Sequence, residues 1–133
     1  MHNHATAARP PIHMIDREAD ALAGLALEAE ARLPQVSALL LDEISRAHIH
    51  GEGKIPEDVV TMMASAEFID EATGASRTIQ LVYPRDADIS SGRVSILTLV
   101  GAGLIGLREG QSIRWPDRSG RERMLSVVKV RRD

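Results

Sequence analysis

The chain has 133 residues, is 44% apolar, carries a formal net charge of −3 and contains no cysteine. That apolar share supports a folded core and argues against wholesale disorder, while the missing thiols exclude disulfides, thiolate catalysis and cysteine-based zinc sites. With one Phe, one Tyr and one Trp, an aromatic-lined ligand pocket is hard to build.

Residues 1–13 are expected to form a flexible leader that closes near Pro10 and Pro11. It lacks the apolar stretch of a secretory signal, and His2, His4 and His13 carry no functional weight there. No run in the chain approaches the ~18 apolar residues of a membrane span. A cytoplasmic location is the default expectation.

From residue 15 to about residue 33, Ile15, Ala19, Leu22, Ala26, Ala29 and Leu33 recur at steps of three and four, which predicts a helix. Asp16, Glu18 and Asp20 crowd its first turns, where the helix dipole favours acids. Pro34 ends it, because the residue before a proline avoids helical geometry. A second helix is predicted over residues 35–48, with Val36, Leu39, Leu40, Ile44 and Ala47 on one face, before Gly51 and Gly53. The pair should fold back as a short antiparallel hairpin over residues 14–50. Its alanine-rich stripe is thin, so it needs support from the rest of the chain or from a partner.

Residues 51–57 read as a linker, and the period then changes to two. Strands are predicted over 59–68 and 76–83 around the 70–74 turn, over 94–100 as a central strand, and over 112–115 and 123–130 around the 116–120 turn. The small residues from Ala102 to Leu107 suit a short helix. The fold class is therefore α+β: a helical hairpin followed, over residues 58–133, by a β domain of about five antiparallel strands and one short helix.

Chemistry-bearing motifs are sparse. His48 and His50 resemble a metal pair, but a helix would splay positions two apart; a helix C-terminus, where imidazolium suits the dipole, is the plainer account. Glu28 and Glu30, at the hairpin tip, could hold a divalent ion with help from a partner, yet they too point to different sides of a helix, which favours a solvated acidic tip. Gly101, Gly103 and Gly106 match a dinucleotide fingerprint in spacing, without the parallel crossover and later acid that such a site requires. Close packing of a short helix on the sheet explains them better. No serine lies in a nucleophile-elbow setting, no histidine lies in the β domain, and neither a cofactor nor a metal is expected.

The charge is uneven. Residues 1–60 hold ten acidic and five basic side chains, whereas residues 61–133 hold nine acidic and eleven basic. Arg114, Arg118, Arg121, Arg123, Lys129, Arg131 and Arg132 concentrate near the end. A single-strand-binding face would add stacking aromatics; a solvated strand face is expected instead, with no direct sequence-specific nucleic-acid binding. Such asymmetry suits orientation in the field of a larger protein.

The run from Val94 through Gly106, followed by Arg108, Glu109, Gly110 and the 116–120 turn, resembles the C-terminal domain of the Gre transcript-cleavage factors. Ile55–Met62, Thr78–Pro84 and Gly106–Trp115 sharpen the resemblance to the Rnk branch, the nucleoside diphosphate kinase regulators. The resemblance implies an FKBP-like β domain behind a coiled-coil hairpin, and RNA polymerase as partner at its secondary channel, in competition with Gre-type factors. Family binding residues map onto Leu97, Thr98, Leu99, Val100 and Leu104. The acidic tip signature of the cleavage factors is absent from residues 28–35, which implies a regulator without catalytic activity. An interaction module for a kinase or another regulatory protein is the alternative. An FKBP-like shape also raises prolyl isomerase activity, but its aromatic pocket has no counterpart here, and fold alone does not transfer function.

Overall fold

A computed structural model describes residues 9–132; residues 1–8 of the expected leader lie outside the described residues. The leader does not extend to residue 13 as expected. Ile12 is fully buried and His13 opens strand β1 (His13–Ile15). The Arg46 guanidinium holds this segment, donating to the Pro10 carbonyl at 2.7 Å and to both carboxylate oxygens of Glu43 at 2.7 and 2.9 Å. The Arg9 guanidinium lies 5.2 Å from the centre of the Trp115 ring, within cation–π range.

Helix α1 (Asp16–Glu28) and helix α2 (Pro34–Arg46) form the hairpin. α1 starts with acids in its first turn and buries Glu18, Ala19, Leu22 and Ala26 along one face. It stops five residues earlier than the pattern predicts, because residues 29–33 fold into a turn closed by Leu33 N–H donating to Ala29 O at 2.7 Å. Pro34 then opens α2, where its missing N–H has no helical partner to lose. The Ser37 hydroxyl donates to Ala26 O at 2.7 Å and ties the two helices together.

Strand β2 (His48–His50) follows α2 and pairs in parallel with β1, His13 opposite His48. The expected helical end of residues 47–48 is thus extended: Ala47 already has φ −72° and ψ 147°. Residues 51–57 are a packed connection. Ile55 is buried with Ile15 and Val59, and Arg17 pairs with Glu52 at 2.7 Å.

The β domain holds a five-stranded mixed sheet in the order β5-β4-β3-β7-β6, comprising β3 (Ser65–Asp70), β4 (Ala75–Val82), β5 (Arg93–Ser95), β6 (Ser112–Pro116) and β7 (Glu122–Arg131). Four strands are antiparallel as expected, and β5 pairs in parallel with β4. The central strand is β3, and the apolar run at 94–100 supplies only the short edge strand β5. After Ser95 the chain turns: Ser95 Oγ accepts from Leu97 N–H at 3.0 Å, and the Thr98 hydroxyl donates to Ser95 O at 2.7 Å. Thr98 then caps helix α3 (Leu99–Leu104), which begins three residues before its expected start, by accepting from Gly101 N–H at 3.0 Å.

The glycine motif is built for contact. A Cβ at Gly101 would fall 2.4 Å from the Ser95 carbonyl oxygen, and one at Gly103 would fall 2.9 Å from the Trp115 indole. Gly106 has φ +86°, and a Cβ there would meet Ile12 at 2.9 Å. One hydrophobic cluster unites Leu22 and Leu40 of the hairpin with Phe68, Leu104, Ile113 and Trp115 of the β domain. Full burial of each such side chain contributes roughly 1.5–3 kcal/mol, so the thin helical stripe is stabilised by the sheet rather than by the hairpin alone.

Candidate docking groove

Where the hairpin turn approaches the β domain, a groove of about 860 Å³ opens between residues 32–36, residues 97–100, the 117–119 turn and Arg123. Leu97, Thr98, Leu99 and Val100 are half-buried and line it together. Their backbone is fixed from below, with Trp115 Nε1–H donating to Leu99 O at 2.7 Å. Leu104 is different: it is fully buried in the core, because α3 turns that side chain towards the sheet, and no partner can reach it without unfolding the helix.

The opposite wall was not expected from sequence. Leu33, Pro34 and Val36 add apolar surface, while Arg32, Arg118 and Arg123 add positive charge around Asp117. Asp117 organises its turn by accepting from Ser119 N–H at 2.8 Å, the Ser119 hydroxyl at 2.7 Å and Arg121 N–H at 3.1 Å. The Ser119 hydroxyl bond is the main reason its carboxyl pKa lies below the usual carboxylate value. Gln35 Nε2–H reaches the Asp117 carbonyl at 3.5 Å and joins the two walls. Pro34 and the 116–120 turn were visible as breaks in the pattern, but periodicity carries no information about two turns meeting in space.

Glu28 and Glu30 are exposed at the end of α1 and in the turn, and neither lines the groove. Among the described residues no three His, Asp or Glu side chains surround a common point. The histidines do meet in a smaller group: His13 Nδ1 and His50 Nε2 are 2.9 Å apart, and the His13 and His48 rings stack with centroids 5.4 Å apart. Burial, and then the neighbouring His50 and His48, push the His13 pKa below its ordinary value.

A buried acid, Glu18, joins the hairpin to the β domain. Glu18 Oε1 accepts from Met62 N–H at 3.1 Å, and burial pushes its carboxyl pKa up against the opposing pull of that bond.

The family model for the C-terminal domain of transcription elongation factors GreA/GreB matches residues 55–132. A regulator of nucleoside diphosphate kinase from Escherichia coli is 36% identical over 125 residues, spanning 92% of this chain and 90% of that protein. A transcription elongation factor GreA from Azorhizobium caulinodans is 36% identical over 94 residues, or 71% of this chain. The match covers 59% of that factor, less than two thirds of its length. Among solved structures, a prokaryotic transcription elongation factor GreA/GreB from Nitrosomonas europaea superposes with a TM-score of 0.71 at 32% identity, over 93% of this chain and 100% of that one.

Proposed function

Because this chain belongs to the GreA/GreB C-terminal-domain family, we propose that it regulates transcription by binding RNA polymerase at the secondary channel without catalysing a reaction. Docking occurs through the groove at residues 97–100, in competition with Gre-type factors. The observation that carries this reading is the convergence of the half-buried Leu97, Thr98, Leu99 and Val100 with the hairpin turn in one basic-rimmed apolar groove. Such a surface suits a protein partner, with apolar contact at the centre and charge at the rim.

The hairpin argues against cleavage. At thirteen residues, α1 is about 20 Å long at 1.5 Å per residue, and its tip acids stand apart from the groove. The protein then acts as a place-holder at the channel entrance, in the cytoplasm where the polymerase works. Among the described residues no helix is long and apolar enough to cross a membrane.

Binding of the purified chain to bacterial core RNA polymerase, with a Gre factor as competitor, tests the proposal. Saturable binding displaced by the competitor is expected. Absence of binding at micromolar concentrations overturns it. The name of the Escherichia coli relative would then make nucleoside diphosphate kinase the partner to test, by the same measurement.

A further inference from the structure

The base of the hairpin carries a constellation that polymerase docking leaves unused. β1 leads into α1 and β2 leaves α2, so these two three-residue strands close the hairpin where both helices meet the β domain. Parallel pairing sets His13 opposite His48. Side chains two apart on a strand share a face, so His48 and His50 project together with His13. His13 Nδ1 and His50 Nε2 lie 2.9 Å apart, their ring centroids 5.1 Å apart. His48 stacks on His13 at an interplanar angle of 28°. His13 and His50 are half-buried and His48 is exposed, so the face is open to solvent.

We propose that His13 Nδ1 and His50 Nε2 chelate a divalent transition cation of the nickel(II) or copper(II) class. With metal–nitrogen bonds of about 2.05 Å, a nitrogen separation of 2.9 Å subtends about 90°. That is the cis angle of octahedral or tetragonal coordination; a tetrahedral ion would need about 3.3 Å. Imidazole nitrogen suits these ions, whereas magnesium and calcium take oxygen ligands.

The site is a pair rather than a triad, so the remaining coordination positions go to water, with His48 standing beside them. In the ligated state both rings are neutral, His13 carrying its proton on Nε2 and His50 on Nδ1. The hydrogen bond between them is thus replaced by two metal bonds after a small tilt of the rings and a change of tautomer in the donor ring. The ion bridges the strand entering α1 to the strand leaving α2 and fastens the hairpin at its base.

Calorimetric titration of nickel(II) into the whole chain in a non-coordinating buffer tests this, with magnesium in parallel. One nickel per chain is expected, with no binding of magnesium. At about a hundredfold excess over Kd the melting midpoint should rise by several degrees. His13→Gln and His50→Gln should each weaken nickel binding at least about tenfold. His50→Gln is the safer variant for folding, since position 50 is only half-buried and glutamine keeps a hydrogen-bonding group there. A His2→Ala/His4→Ala double variant should bind as the parent does. Unchanged affinity in folded His50→Gln, or loss of the nickel site in the His2/His4 variant, overturns the proposal.

Discussion

Glu18 on the buried face of α1 accepts a hydrogen bond from the Met62 backbone N–H at 3.1 Å. This bond joins the hairpin to the β domain where the chain turns towards β3, next to Met63 with its left-handed φ of 70°. An unpaired buried N–H there would be costly. The carboxylate satisfies it, at the expense of holding a charge in a poorly solvated place.

That conflict gives a pH signature. Burial raises the Glu18 pKa, so the folded state holds its proton more tightly than the unfolded chain does. The resulting stability is fully present below the unfolded carboxyl pKa of about 4.3 and is lost as pH rises through the folded value. Glu18→Gln keeps an acceptor for Met62 N–H and removes the titration. Its melting temperature minus that of the parent should therefore increase from pH 4 towards neutrality, measured by calorimetry at fixed ionic strength. A difference that stays flat across this range would show that Glu18 is not destabilised by its surroundings.

Glu43 is fully buried and gripped by the Arg46 guanidinium through both oxygens. Arg46→Ala leaves that carboxylate with Arg9 at 3.4 Å and releases Pro10 O. Loss of one partner of a buried pair costs about 3–5 kcal/mol. Replacing both residues with Met should recover much of it, since the buried charge goes too. Urea denaturation of the two variants tests this, and equal destabilisation in both would contradict it.

The hairpin was legible because Ala19, Leu22, Ala26, Val36 and Leu40 repeat at helical spacing and are all buried. The turn at Asp70 was legible too, since Asp70 Oδ1 accepts from Ala72 N–H and Asp70 O from Gly74 N–H. Strands β1 and β2 were not legible: three residues cannot show a period, and their pairing spans the whole hairpin. The apolar run at 94–100 misled for a related reason. Val94 and Ile96 are buried like strand residues, but the turn made by Ser95 and Thr98 is a matter of hydroxyl hydrogen bonds, which hydropathy does not register. Of the five positions expected to dock, Leu97, Thr98, Leu99 and Val100 lie on the groove, whereas Leu104 looks the same in sequence and faces the core. The wall formed by residues 32–36 depends on how the hairpin packs, which no local pattern records.

Gly103→Ala tests the close approach of α3 to the sheet. Its methyl would stand 2.9 Å from the Trp115 indole, a ring held by its bond to Leu99 O. Overpacking of this kind costs about 1–3 kcal/mol. Trp115 is the only tryptophan, so its emission should shift to the red as the indole moves outward. A native-like spectrum and unchanged stability would show that the helix can slide without loss.

Leu99→Asp addresses docking directly. Leu99 is half-buried in the groove and occupies the first position of α3, just after its Thr98 cap. An acid is electrostatically favourable in a helix's first turn, and the backbone bond from Trp115 does not depend on the side chain. Partial loss of apolar burial should cost about 1 kcal/mol, leaving the chain folded. A charge placed in an apolar contact should nevertheless weaken polymerase binding by about tenfold or more. Leu104→Asp would unfold α3 and cannot separate the two effects, which makes position 99 the informative one. Equilibrium binding to core polymerase, with circular dichroism as the folding control, decides the matter: full affinity in a folded Leu99→Asp protein would move the docking surface away from residues 97–100.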